Sequence, residues 1–189
     1  MLLTGCIFSK KSTYVEPEEE VPVVAQPPKA GLPPATSADP GMALKEKYAK
    51  YLQVPVDSIV NIKLYAFIDK WLNTPYKWGG MDENGIDCSA FIQRLLNEVY
   101  GLKLPRTSIE QLYTNRVELF TSHKYFSEGD IIFFRTMKDK VVSHVGIYLS
   151  NYMFVNSSSS KGVSIASLKD DYWRQRYVVA GRIKASLAK

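Results

Sequence analysis

After Asp130 the sequence holds five short runs rich in β-branched and aromatic residues: Ile131 to Arg135, His144 to Leu149, Tyr152 to Asn156, Val163 to Ala166 and Tyr177 to Ile183. Gly, Ser, Asn and Asp turns separate them, which is the pattern of consecutive strands. Parallel neighbours need a crossover of a dozen or more residues, usually a helix. No helix-length stretch lies between these runs, so they are expected to form one antiparallel sheet.

Ahead of the sheet the periodicity is helical. The clearest helix follows Ile86. Asp87 is a good N-cap, Phe91, Ile92, Leu95, Leu96 and Val99 form an apolar stripe, and Gly101 is the expected stop. A second, loosely amphipathic segment runs from Asn61 to Asn73 and is broken by Thr74-Pro75. Helices followed by consecutive strands predict an α+β fold, with N-terminal helices packed on the antiparallel sheet.

The chain's 189 residues suit one domain plus a tail. Seven of its ten prolines (Pro17, Pro22, Pro27, Pro28, Pro33, Pro34 and Pro40) fall before Met42. Proline lacks a backbone donor and favours extended neighbours, so residues 9–43 are expected to be a semi-rigid linker, and residues 44–189 the folded domain. At the start, Leu3-Thr4-Gly5-Cys6 looks like a lipobox, and residues 1–8 are read as the remnant of a lipoprotein signal. Small Thr4 and Gly5 would admit the processing peptidase. Acyl chains on Cys6 would then hold the protein at a membrane, at about 0.8 kcal/mol per buried methylene. Ile7 rather than an acidic residue follows Cys6, which resembles the sorting pattern of outer-membrane lipoproteins. The expected location is the bacterial cell envelope, anchored to the outer membrane and facing the periplasm.

Other partners are disfavoured. The net charge is +5, but Lys and Arg are scattered and no basic helix with interleaved aromatics stands out, so nucleic acid is not expected. Two cysteines, Cys6 and Cys88, are too few and too far apart in sequence for a disulfide framework. The only histidines are His123 and His144, so the usual zinc ligand sets cannot be assembled, and neither a metal nor another cofactor is expected. The protein is expected to be a monomer.

Cys88 falls in the first turn of the clearest helix, where unpaired backbone N–H groups and the helix dipole are expected to lower a thiol's pKa. His144 opens a strand whose alternation puts His144, Gly146 and Tyr148 on one face and the core-like Val145, Ile147 and Leu149 on the other. If Leu149-Ser150-Asn151 form a three-residue hairpin loop, Asn156 stands directly opposite His144, close enough for its amide oxygen to orient the imidazole. A two-residue loop would shift the pairing and spoil this. Cys88, His144 and Asn156 then stand in the order nucleophile, base and orienter of thiol acyl-transfer enzymes.

These residues belong to a series of motifs: Thr74-Pro-Tyr-Lys-Trp-Gly-Gly80, Gly85-Ile-Asp-Cys-Ser-Ala-Phe91, Leu104-Pro-Arg-Thr107, Glu128-Gly-Asp-Ile-Ile-Phe-Phe134, Ser143-His-Val-Gly-Ile-Tyr148 and Phe154-Val-Asn-Ser-Ser158. In that order they resemble the NlpC/P60 cell-wall peptidases, in particular a compact lipoprotein branch, over roughly Tyr65 to Ile183. The resemblance implies a papain-like α+β fold and a cysteine endopeptidase that hydrolyses stem-peptide or cross-link amide bonds of peptidoglycan. By it, Cys88 and His144 match the nucleophile and base, and Tyr76 matches a tyrosine thought to help hold the oxyanion. Asp87 and Ser89 match positions lining the substrate cleft, and Trp78 and Arg106 are further substrate-binding candidates, Arg106 through a stem-peptide carboxylate. From the residues alone, Tyr76 reads as a core aromatic, Asp87 as a cap, Trp78 and Trp173 as packing, and Arg106 as a solvated loop residue. The family's third position is usually histidine, whereas this chain has Asn156. Alternatives are an inactive peptidoglycan-binding module and an amidase or acyltransferase using the same thiol.

Overall fold

A computed structural model describes residues 40–184. The expected lipobox with Cys6, and all but the last few residues of the expected linker, lie outside the described residues. The first element, α1 (Pro40–Leu52), begins four residues ahead of the expected domain start. Proline is favoured in a first helical turn, where its missing N–H leaves no helical bond unmade. Tyr48, Ala49 and Leu52 of α1 are buried in the main core, so this helix is part of the folded body. Next comes α2 (Ile62–Trp71), capped by the Asn61 side chain accepting from the Leu64 N–H at 3.2 Å. Tyr48 of α1 and Asp69 of α2 are joined by a hydrogen bond of 3.2 Å.

A small hairpin, β1 (Met81–Asp82) and β2 (Gly85–Ile86), leads into α3 (Cys88–Tyr100). As expected, Asp87 caps α3, accepting from the Ala90 N–H at 2.8 Å. Gly101 ends it in the left-handed region at φ 70°, where it escapes a Cβ penalty. Phe91, Ile92 and Leu95 are fully buried, and each such side chain contributes about 1.5–3 kcal/mol. Truncating Phe91 would therefore be among the most damaging changes in the helix.

Then follow α4 (Ser108–Tyr113), started by a capping box between Thr107 and Glu110, and β3 (Val117–Phe120). Strands β4 (Ile131–Phe134), β5 (His144–Ser150), β6 (Met153–Ser158) and β7 (Gly162–Ser167) come in succession. A short α5 (Asp171–Arg176) then leads to β8 (Tyr177–Ile183). The six-stranded sheet has the order β3-β8-β4-β5-β6-β7, and every pair in it is antiparallel. This is the α+β arrangement expected. Helix α3 packs on β5 and β6, and with α1 and α2 it covers one face, where Val145, Ile147, Leu149 and Val155 are buried. On the other face Ile132, Phe134, Phe154, Leu168 and Trp173 form a smaller cluster.

Candidate active site

The N-terminus of α3 meets the start of β5. Cys88 is buried there, and the N–H groups of Val145 and Ser89 donate toward its sulfur. Val145 directly follows His144, so the thiol lies against the chain segment that carries the imidazole. His144 Nε2 lies 3.1 Å from Asn156 Oδ1, both side chains being buried. The Asn156 amide donates from Nδ2 to the Ser164 carbonyl at 3.4 Å, which assigns Oδ1 to the histidine. A carbonyl oxygen only accepts, so Nε2 carries the proton and Nδ1 is the basic atom of the ring.

The hairpin reaches this contact by another route than the one expected. Its loop has two residues, Asn151 and Tyr152, both left-handed at φ 47° and 64°, and Ser150 pairs with Met153. A two-residue loop alone would align Asn156 with Ile147 and turn it into the core. The ladder is irregular between Tyr148 and Ser150, so Leu149 is an extra residue in β5, and Asn156 aligns with Gly146 instead. That returns Asn156 to the His144 face, diagonal to the imidazole rather than opposite it.

The thiol also departs from expectation. Burial pushes the Cys88 pKa up to about 12, helped by the neighbouring Asp87 carboxylate, and the amides around the sulfur do not offset this. Burial likewise lowers His144 to about 4, against the opposing influence of Asn156 and Asp87. The thiol and the imidazole therefore both rest neutral. Helix position alone pointed to a thiolate, but desolvation of the charged sulfur outweighs the helix terminus.

Asp87 is more than a cap. Its Oδ1 accepts from Ala90 N–H, the Ser89 hydroxyl at 2.9 Å and Arg106 Nη1 at 3.0 Å, while Oδ2 accepts from Gly79 N–H at 3.1 Å and from Arg106 Nη2. Burial disfavours its charge, but Arg106, Ala90 and Ser89 together hold its carboxyl below the ordinary value. Arg106, read from sequence as a solvated loop residue or a carboxylate binder, forms a two-pronged pair with Asp87 and reaches Ser89 at 2.9 Å. The Gly79 bond ties the loop carrying Tyr76 and Trp78 to the start of α3.

An open cleft runs from Tyr76 and Trp78 past His144 and Asn156 to Trp173, with hydroxyls of Ser158, Ser164 and Ser167 along its wall. Tyr76 is half-buried and Trp78 is 75% exposed. Three further residues support the site, of which the sequence names Trp173 only as a packing residue. Trp173 lays its ring 5.1 Å from the imidazole, tilted 31°, with Phe134 at 6.0 Å. Ser157, fully buried, donates to the Ile86 carbonyl at 2.7 Å and ties the strand of Asn156 to the residue before Asp87. Ser143 accepts from the Thr136 and Met137 N–H groups at 2.8 and 2.9 Å and pins the loop before His144. Trp173 packs as the sequence suggests, but its place over the imidazole and the bonds of Ser157 and Ser143 are tertiary contacts and carry no local signal. His123, the other histidine, is exposed and packs on Phe126 and Tyr177.

The NlpC/P60 family profile matches residues 73–182, more than half of the chain and all of the motif-bearing segments from Asn73 to Arg182. The chain belongs to the NlpC/P60 family. It is 38% identical over 120 residues to a probable endopeptidase NlpC homolog of Haemophilus influenzae, covering 64% of this chain and 61% of that protein. It is 40% identical over 113 residues to the murein DD-endopeptidase MepS/murein LD-carboxypeptidase of Escherichia coli, covering 60% and 57%. The chain thus matches less than two thirds of the length of these relatives. Among solved structures, it resembles an NLP/P60 family protein similar to lipoprotein from Staphylococcus aureus, with a TM-score of 0.56 and 28% identity, covering 64% of this chain and 40% of that one. An NlpC/P60 family protein of Bacillus cereus gives a TM-score of 0.57 at 25% identity, covering 66% and 40%. In this family member the fold expected from the motifs is present.

Proposed function

We propose that this NlpC/P60 protein is a peptidoglycan endopeptidase that cuts stem-peptide or cross-link amide bonds with Cys88 as nucleophile, His144 as base and Asn156 as orienter. The observation carrying this reading is the 3.1 Å contact between Asn156 Oδ1 and His144 Nε2, on a strand whose next amide donates to the Cys88 sulfur. It leaves Nδ1 free to accept the thiol proton. The relatives named as endopeptidases support the reaction class, and the hydroxyl-lined cleft supports a polar peptide substrate.

In the reaction, Cys88 Sγ gives its proton to His144 Nδ1 as it attacks the amide carbon. Because both groups rest neutral, proton transfer accompanies the attack. The Cys88 backbone N–H at the start of α3 and the Tyr76 hydroxyl stabilise the oxyanion. The C–N bond then breaks, the imidazolium protonates the leaving amine, and a thioester remains. Water attacks that thioester with His144 again as base, and the carboxylic acid product and free thiol are released. Asn156 steers the ring without adding charge. Asp87, Ser89, Arg106 and Trp78 shape the substrate side, with the Arg106–Asp87 pair bracing the Tyr76 loop.

Residues 44–189 form the peptidase domain on this reading, extended by the first turn of α1. Residues 9–43 are the tether, and Cys6 carries the lipid that holds the monomeric protein at the outer membrane, facing the periplasm. The test is incubation of the protein and its Cys88→Ala variant with purified peptidoglycan, followed by mass spectrometry of released muropeptides. New stem-peptide fragments that vanish in the variant are expected, and their masses name the bond. No fragments across a range of pH would favour a wall-binding module instead.

A further inference from the structure

β7 is the outermost strand on its side of the sheet, and its free edge is only partly covered. At Val163 both backbone groups are taken: its C=O accepts from Asn73 N–H and its N–H donates to the Thr74 C=O, each at 2.9 Å. At the far end the Ser167 C=O accepts from Asp170 N–H at 3.1 Å as the chain turns away. Between them stands Ile165. Outward- and inward-facing residues alternate in an antiparallel ladder, and Val163 faces outward, so the N–H and C=O of Ile165 also point away from β6. Neither is taken up by a described residue.

The cleft reaches this place from both sides. Its wall includes Ser164 and Ala166 from one face of β7, and Ile165 with Met153 from the other. A wall drawn from both faces of one strand puts the strand's edge on the cleft floor. The edge is also continuous with the proposed chemistry, because Ser164 supplies the carbonyl that fixes the Asn156 amide.

We propose that the main chain of the peptide being cut is held by the edge of β7, its backbone pairing with the N–H and C=O of Ile165. The inference rests on the peptidase reading and adds where the substrate's backbone is gripped. An exposed strand edge is a template for an extended peptide, whose main-chain bonds give affinity while flanking side chains give selectivity. Only Ile165 offers both groups, with the Ser167 N–H also untaken by a described residue beyond it, so the open stretch needs a single extended residue and no run of L-residues, which suits peptides of mixed chirality. Lys161 and Asp170 also line the cleft and offer one charge of each sign to ionised groups on the peptide.

The test uses Ile165→Pro. Proline removes the outward N–H, and an edge strand tolerates it. With a soluble cross-linked muropeptide as substrate, Ile165→Pro is expected to lower kcat/KM by about 3- to 10-fold, chiefly through KM, as befits one lost hydrogen bond. Ile165→Ala, which keeps the N–H, loses less. Alkylation of Cys88 by iodoacetamide at the wild-type rate reports that the site of the proline variant is intact. A proline variant with unchanged kcat/KM, or an alanine variant that loses as much, would overturn the proposal. If the proline variant does not fold, hydrogen exchange at the Ile165 amide in Cys88→Ala decides: slowing on saturation with the muropeptide is expected, and unchanged exchange overturns it. A wild-type protein that binds the muropeptide without cutting it would refute the peptidase reading, while the exchange measurement would still judge the edge.

Discussion

His144 and Asn156 share a hydrogen bond of 3.1 Å although they are not cross-strand partners, since Asn156 stands opposite Gly146. A β-carbon on Gly146 would come within 2.7 Å of the Phe154 ring, so the diagonal depends on a residue without a side chain there. The extra residue Leu149 sets the register, and the register decides whether Asn156 faces the imidazole or the core.

Asn156→Ala leaves Cys88 and His144 in place but frees the ring. A positioned base is worth about 10²- to 10⁴-fold, and losing its orienter should remove part of that, on the order of 10- to 100-fold in kcat. Steady-state kinetics on a soluble muropeptide check this. Asn156→Asp should instead raise the pKa of the imidazole and move the acidic limb of the pH profile to higher pH, because a carboxylate favours the charged ring.

Acid should destabilise the fold through His144. Burial lowers its pKa to about 4 from an ordinary 6.5, so between those values the unfolded chain binds the proton that the folded chain refuses. Stability from this group is complete above pH 6.5 and declines as pH falls toward 4, by on the order of 3 kcal/mol. Urea unfolding across that range, compared with His144→Gln, measures it. The variant should lose most of the slope in this window.

Trp173→Ala should do two things at once. Removing the indole opens a cavity over the imidazole, at about 3–5 kcal/mol of stability. It also admits water, which should raise the His144 pKa toward its ordinary value. Trp173→Phe retains a covering ring and should keep the pKa low. NMR titration of the histidine signals separates these effects, and a His144 pKa unmoved by Trp173→Ala would show that the indole does not keep the ring dry.

Ser157→Ala removes the 2.7 Å bond to the Ile86 carbonyl and leaves that acceptor buried without its partner. The expected cost is about 1–3 kcal/mol, measured by denaturant unfolding. Because this bond joins the strand of Asn156 to the start of α3, kcat should fall more than KM rises.

Much of this arrangement is legible in the sequence where the signal is local. Asp87, the apolar stripe and Gly101 mark α3 because cap, periodicity and stop are all carried by neighbouring residues, and five of the six strands of the sheet follow from their spacing, whereas β3, ahead of Asp130, does not. The hairpin register is not legible, since a bulge at Leu149 has no signature of its own. Nor is the neutral state of Cys88, because the burial that opposes the helix terminus comes from distant segments. The start of α1 hides behind prolines that read as linker, and the places of Trp173, Ser157 and the Ile165 edge around the proposed site are set only when β6, β7 and α5 come together.

In the proposed mechanism Cys88 and His144 work as one unit, which a double-mutant cycle on kcat with Cys88→Ala, His144→Ala and the double variant tests. A nucleophile and its base fail together, so each single variant should fall to nearly the same residual rate as the double. A double variant slower by the product of the two single losses would mean that the two residues act independently, and would contradict the mechanism.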